Sequence, residues 1–216
     1  KPVDRNEWFM TPQTINAYYD PTTNEICFPA GILQAPFFDP AADDAANYGA
    51  IGVVIGHEMT HGFDDQGSQF DKDGNLRNWW TQQDKARTQR MIRFFDGIEV
   101  LPGLHCNGAL TCGENIADHG GLKVAYQAFR NATSSRPLAD FGGFTPDQRF
   151  FISYGQIWAN NIRPEALRNQ VKTDPHAPAR WRVNGALPQI EAWYKAFGIK
   201  KGDKLFVPKN KRVDIW

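Results

Sequence analysis

The chain has 216 residues, 41% of them hydrophobic, which is enough to bury one substantial core and suits a single globular domain. Its 24 Lys and Arg balance its 24 Asp and Glu, so there is no one-signed field to draw nucleic acid or an anionic membrane surface. The apolar run at 51–55 is far too short to cross a bilayer, and residues 1–10 lack the apolar centre of a secretory signal.

Residues 14–19 read as a strand, Asp20-Pro21-Thr22-Thr23-Asn24 as a turn, and residues 25–28 as the returning strand of a hairpin. Residues 43–63 have helical character despite their glycines. Asp71-Lys72-Asp73-Gly74-Asn75 is a turn between short extended pieces; its acidic residues lack the spacing and terminal Glu of a calcium loop. A second helix runs from Thr81 toward Val100, where Leu101-Pro102-Gly103 interrupts it. A third starts near Gly113 and continues through Phe129, with Gly120-Gly121 permitting close packing. Thr145-Pro146-Asp147-Gln148 fits a capping box opening a fourth helix toward Asn161. The tail reads as irregular, with one short helix at 188–197. Of the three cysteines, Cys106 and Cys112 flank an Asn107-Gly108 turn; they could pair in an oxidising compartment or be unrelated thiols, with Cys27 a small buried residue.

The chemistry concentrates in His57-Glu58-Met59-Thr60-His61. Two histidines four apart on a helix project from one face and can grip one cation, while Glu58 stands at the edge of the same patch, within reach of a metal-bound water as general base. Chance alone would place this pattern in roughly one chain in a hundred of this length, so a third ligand has to be found before it carries a function. The metzincin pattern wants Gly three and His six residues beyond His61, where this chain has Asp64 and Gly67. The remaining common source is a carboxylate on another helix. Gly113-Glu114-Asn115-Ile116-Ala117-Asp118 offers Glu114 as ligand, with Asp118 one turn on to hold the free nitrogen of a ligating imidazole; Asp64 and Asp65 are alternatives for that second task.

These segments, with Ile15-Asn16-Ala17-Tyr18-Tyr19, Phe28-Pro29-Ala30-Gly31-Ile32-Leu33-Gln34, Asn78-Trp79-Trp80 and Asp174-Pro175-His176, make the chain resemble the catalytic C-terminal part of the neprilysin family of metallopeptidases. The resemblance runs over nearly all of the chain. It implies an α+β, mainly helical, thermolysin-like zinc peptidase catalytic domain with a small sheet, spanning residues 1–216 and holding one Zn2+ on His57, His61 and Glu114. It implies an endopeptidase acting on oligopeptides, with cleavage before an apolar residue. Glu58, His176 and Asp118 would serve catalysis. Asn16 and Ala17 would bind substrate backbone from an edge strand, Arg182 a substrate carbonyl, and Ile32, Phe37, Val54 and Trp158 an apolar side chain. Core packing is the competing reading of those last four. His105 and His119 match no family function and read as structural or surface residues.

Family members are about three times longer, with an N-terminal helical domain that caps the catalytic chamber; this chain begins after it, so that domain is an expected partner. Animal members carry a Cys three residues before the terminal Trp, where this chain has Val213, which gives it a bacterial look. The resemblance implies an extracytoplasmic location, with the cytoplasm as the alternative. Two rival readings are a peptide-binding domain with a structural zinc, against which Glu58 and the lack of a fourth ligand argue, and an aminopeptidase. The latter would carry Gly-x-Met-Glu-Asn upstream of His57, and this chain does not.

Overall fold

The computed structural model describes residues 3–214; Trp216, part of the chain-end pattern, lies outside the described residues. Near the start, β1 (Tyr18–Asp20) and β2 (Glu25–Cys27) pair antiparallel with Tyr19 opposite Ile26. Asp20 shapes the turn by accepting from the Thr22 N–H at 2.8 Å, and Asn24 closes it at a φ of 54°. The hairpin is shorter than the sequence suggests, and Asn16 and Ala17 stand just ahead of β1 rather than in an edge strand. One residue past the pair Tyr18–Cys27 the partner strand runs into Phe28-Pro29, and proline has no N–H with which to extend a ladder.

Helix α1 (Asp44–Asn47) starts at the Asp43 cap, passes through a π-helical turn (Tyr48–Gly52), and continues without a break as α2 (Val53–His61). This is the expected helix at 43–63. Phe70 and Leu76 bridge across the Asp71–Asn75 turn, again as expected. Thr81 and Asp84 form a reciprocal capping box that opens α3 (Gln82–Asp96). That helix stops at Gly97 rather than near Val100, because Leu101-Pro102-Gly103 makes a hairpin: β3 (Glu99–Leu101) folds back on β4 (Leu104–His105), with Gly103 at a φ of 72°.

Helix α4 (Cys112–Thr133) is the axis of the molecule. On one side it joins the larger core, in which Phe129, Phe150, Phe151 and Tyr154 are almost fully buried. On the other, Ile116 meets Met91, Phe95, Cys106, Cys112 and Val213 in a smaller one. Both cysteines in that cluster are free thiols packed as small hydrophobes, and burial pushes Cys106 up to about 11. Cys27, expected to be buried, is half-exposed on β2.

The Thr145 capping box opens α5 (Pro146–Ile157), which ends four residues before Asn161. The region read as irregular holds two further helices, α6 (Pro164–Thr173) and α7 (Ala179–Ala186), before a 3-10 turn and α8 (Glu191–Phe197) complete the short helix expected there. Pro164 pre-sets the first turn of α6, and Pro178 caps α7. No helix among the described residues is long and apolar enough to cross a membrane.

Candidate metal centre

Helix α2 crosses α4 where neither can carry a side chain. A Cβ on Gly56 would come within 2.9 Å of Gly121 backbone, one on Gly121 within 2.7 Å of the His57 nitrogen, and one on Gly120 within 2.5 Å of the Thr60 side chain. This contact brings the imidazoles of α2 to the first turns of α4. His57 Nε2 lies 3.0 Å from His61 Nε2, and the rings stand edge to face at 88°. Glu114 completes the cluster, 3.2 Å from His57 and 3.6 Å from His61; one ligand atom from each of the three residues falls within 4.8 Å of the others.

The outward nitrogens are already taken. His57 Nδ1 faces Asp118 Oδ1 at 2.9 Å and His61 Nδ1 faces Asp64 Oδ2 at 2.7 Å. A neutral ring whose Nδ1–H donates to a carboxylate presents a lone pair at Nε2, so in that form the two rings would oppose lone pairs across 3.0 Å. Glu114 Oε2 is buried without a hydrogen bond of proper geometry. Such a site calls for a positive charge. Burial works against a charged His57, yet Asp118 and Glu114 outweigh it and push the ring up to about 9. Burial would also raise Glu114, but contact with His57 and the charges of His57, His61 and Arg182 hold it down at about 2.

Glu58 is buried beside the pair, and burial raises its carboxyl above the ordinary value despite the facing histidines. Arg182, from α7, forks Asp118 with Nε to Oδ2 at 2.7 Å and Nη2 to Oδ1 at 2.6 Å, and stacks 3.8 Å over the Trp158 ring. Although burial opposes ionisation, Arg182 and His57 keep Asp118 well below the usual carboxylate range. His176 reaches in from the loop ahead of α7: its Nε2 is 3.3 Å from Glu114 Oε1, and Asp174 holds its Nδ1 at 2.7 Å.

All thirteen residues singled out from the sequence line one cleft of about 420 Å³: the three candidate ligands, Glu58, Asp118, His176, Arg182, Asn16 and Ala17, and the apolar Ile32, Phe37, Val54 and Trp158. Ile32 is buried and Phe37 and Trp158 half-buried, so these positions serve the core and the cleft wall together. Sequence reasoning missed Asp174 as the partner of His176 and Tyr154 beneath the cleft. Asp174 sits two residues from a histidine, a spacing that could have flagged it; a tyrosine on an apolar helix face gives no such signal.

Fold and site together resemble those of metallopeptidases with two helical histidines and a glutamate from a second helix. A family model described as peptidase family M13 matches residues 16–213. Endothelin-converting enzyme 1 of Rattus norvegicus is 44% identical over 223 residues, covering 100% of this chain and 29% of the rat protein. The endothelin-converting enzyme homolog of Locusta migratoria is 45% identical over 224 residues, with 100% and 30% covered. The zinc metalloprotease Zmp1 of Mycobacterium tuberculosis, solved with an inhibitor, is similar at a TM-score of 0.96 and 48% identity, over 100% of this chain and 34% of that one. PepO of Lactobacillus rhamnosis follows at 0.86 and 40%, over 98% and 32%. The chain belongs to peptidase family M13, the neprilysin family, and spans about a third of the length of the relatives it matches.

Proposed function

We propose that residues 1–216 form the catalytic domain of a zinc-dependent endopeptidase that hydrolyses oligopeptides and cuts before an apolar residue. One observation carries this reading: three ligand atoms from two helices, a buried carboxylate and an apolar wall converge in a single cleft. Two imidazoles and a carboxylate suit zinc and leave a fourth position open, and the opposed Nε2 atoms and bare Glu114 oxygen are what a cation would satisfy. His57, His61 and Glu114 would hold one ion. When bound, zinc supplies Lewis acidity that polarises the scissile carbonyl and makes the attacking water more acidic.

The chain's own groups do the rest. Glu58 takes the water's proton and delivers it to the leaving amine, a task suited to a carboxyl raised by burial. His176, oriented by Asp174, donates to the developing oxyanion. Arg182 engages a substrate carbonyl while its grip on Asp118 orders the His57 ring. Asn16 and Ala17 pair with the substrate backbone at the cleft rim, and Ile32, Phe37, Val54 and Trp158 receive the apolar side chain after the cut. In a longer protein an N-terminal helical domain would cap the cleft and restrict entry to oligopeptides. We place the enzyme outside the cytoplasm, as the neprilysin resemblance implies.

The Glu58→Gln variant tests the assignment of the base. It should hold zinc as the parent does, by metal analysis, while turnover of a quenched peptide falls at least about a hundredfold. Unchanged turnover would remove Glu58 from the mechanism.

A further inference from the structure

Helix α5 turns two side chains, one helical turn apart, onto the same residue of α7. Trp158, at its C-terminal cap, lies under the Arg182 guanidinium, with the cation 3.8 Å from the ring centroid. Tyr154 is fully buried, and its hydroxyl donates to the Arg182 carbonyl at 2.9 Å. This is the one side-chain hydrogen bond from α5 to α7 among the described residues. The helix it holds is short, Ala179–Ala186, and follows directly on the loop that carries His176. Arg182 in turn forks Asp118, which faces His57. A phenylalanine in place of Tyr154 would fill the same space, so core packing does not explain the hydroxyl. What the hydroxyl adds is a fixed distance between α5 and the backbone of Arg182.

We propose that Tyr154 is a positioning residue for the reaction: its hydroxyl sets the height of α7, and so aims Arg182 into the cleft. It touches no reacting atom and acts through Arg182. The proposal rests on the endopeptidase reading given above. A small misplacement of groups that meet the transition state costs rate far more than it costs substrate affinity or fold.

The test is Tyr154→Phe in the zinc-loaded chain, alone and combined with Arg182→Met. The single variant should fold and bind zinc as the parent does, with kcat down about tenfold and KM within about twofold. In the Arg182→Met background the same change should alter kcat by less than about twofold, because the group it positions is gone. A readout independent of turnover is the Arg182 Nε–H resonance in 15N NMR: it should be protected from exchange in the parent and exchange faster in Tyr154→Phe. Three results would overturn the proposal: unchanged kcat together with an unchanged resonance, equal losses in both backgrounds, or failure of Tyr154→Phe to fold, which would make the hydroxyl a structural requirement. A parent chain that cleaves no peptide would contradict the endopeptidase reading instead, and the resonance would still report on the tie between α5 and Arg182.

Discussion

Asp64 engages both of its carboxylate oxygens close by in the chain. Oδ2 faces His61 Nδ1 at 2.7 Å, while Oδ1 accepts the N–H groups of Gln66 and Gly67 at 2.8 and 2.7 Å. The backbone thus fixes the carboxylate, and the carboxylate fixes the ring. Asp64→Asn should raise the Kd for zinc about 10- to 100-fold, read by competition with a chelating dye, and an unchanged Kd would show that the ring needs no such support. His119, next to Asp118 on α4, has a different part. Burial, with help from Lys123 and against Asp214, pushes its pKa down to about 4. Below about pH 6.5 the unfolded chain takes a proton that the native state refuses, so stability falls with pH over the window down to about 4. Denaturant unfolding of the metal-free protein should lose about 2 kcal/mol more between pH 8 and pH 5 than His119→Leu does. The roles of these residues were unequally legible. His57, Glu58 and His61 declare themselves by helical spacing, and Glu114 with Asp118 by the same logic one helix later. His176 lies far along the chain from every partner but Asp174, and only a resemblance to known proteins singled it out.

At the scale of the element, the meeting of α2 with α4 sets the candidate metal centre. A Cβ at Gly121 would strike the backbone of His57 and Val53, each 2.7 Å away, and backbone cannot swing aside as a side chain can. Gly121→Ala should therefore destabilise the fold by about 1–3 kcal/mol in thermal or urea unfolding, and weaken zinc binding along with it, since His57 itself must shift. A variant of parental stability and affinity would mean that the helices cross more loosely than described. The sequence suggested close packing at Gly120-Gly121 but was silent on the partner, because a glycine pair marks a place of approach without naming what approaches. Helices with capping boxes, α3 and α5, were legible at their starts and overrun at their ends. Their last turns stop at Gly97 and Trp158 for tertiary reasons: a hairpin follows the first, and Trp158 turns aside to stack on Arg182. Helices α6 and α7 give little signal in the sequence since each is short and proline-bounded, and they hold their form by docking on the rest.

At the scale of the molecule, the described residues form two apolar cores on either side of α4, with the cleft over the larger one and its floor supplied by α2. That arrangement explains why so much chemistry was readable from so little context. The candidate ligands sit on regular helices, where spacing translates into geometry, whereas the parts proposed to face substrate come from loops and a strand start, where it does not. Asn16 and Ala17 illustrate the second case: they border the cleft as expected, yet the proline of Phe28-Pro29 ends the sheet one pair short of them. The central claim is that His57, His61 and Glu114 hold one zinc ion and that this ion makes the cleft hydrolytic. It is tested most directly by titrating the metal-free chain with zinc while following cleavage of a quenched peptide with an apolar residue after the scissile bond. Hydrolysis should rise in proportion to added zinc and reach its plateau at one equivalent, with Glu114→Ala showing neither tight uptake nor turnover. Tight uptake of one equivalent without any hydrolysis, or full hydrolysis by the Glu114→Ala variant, would contradict it.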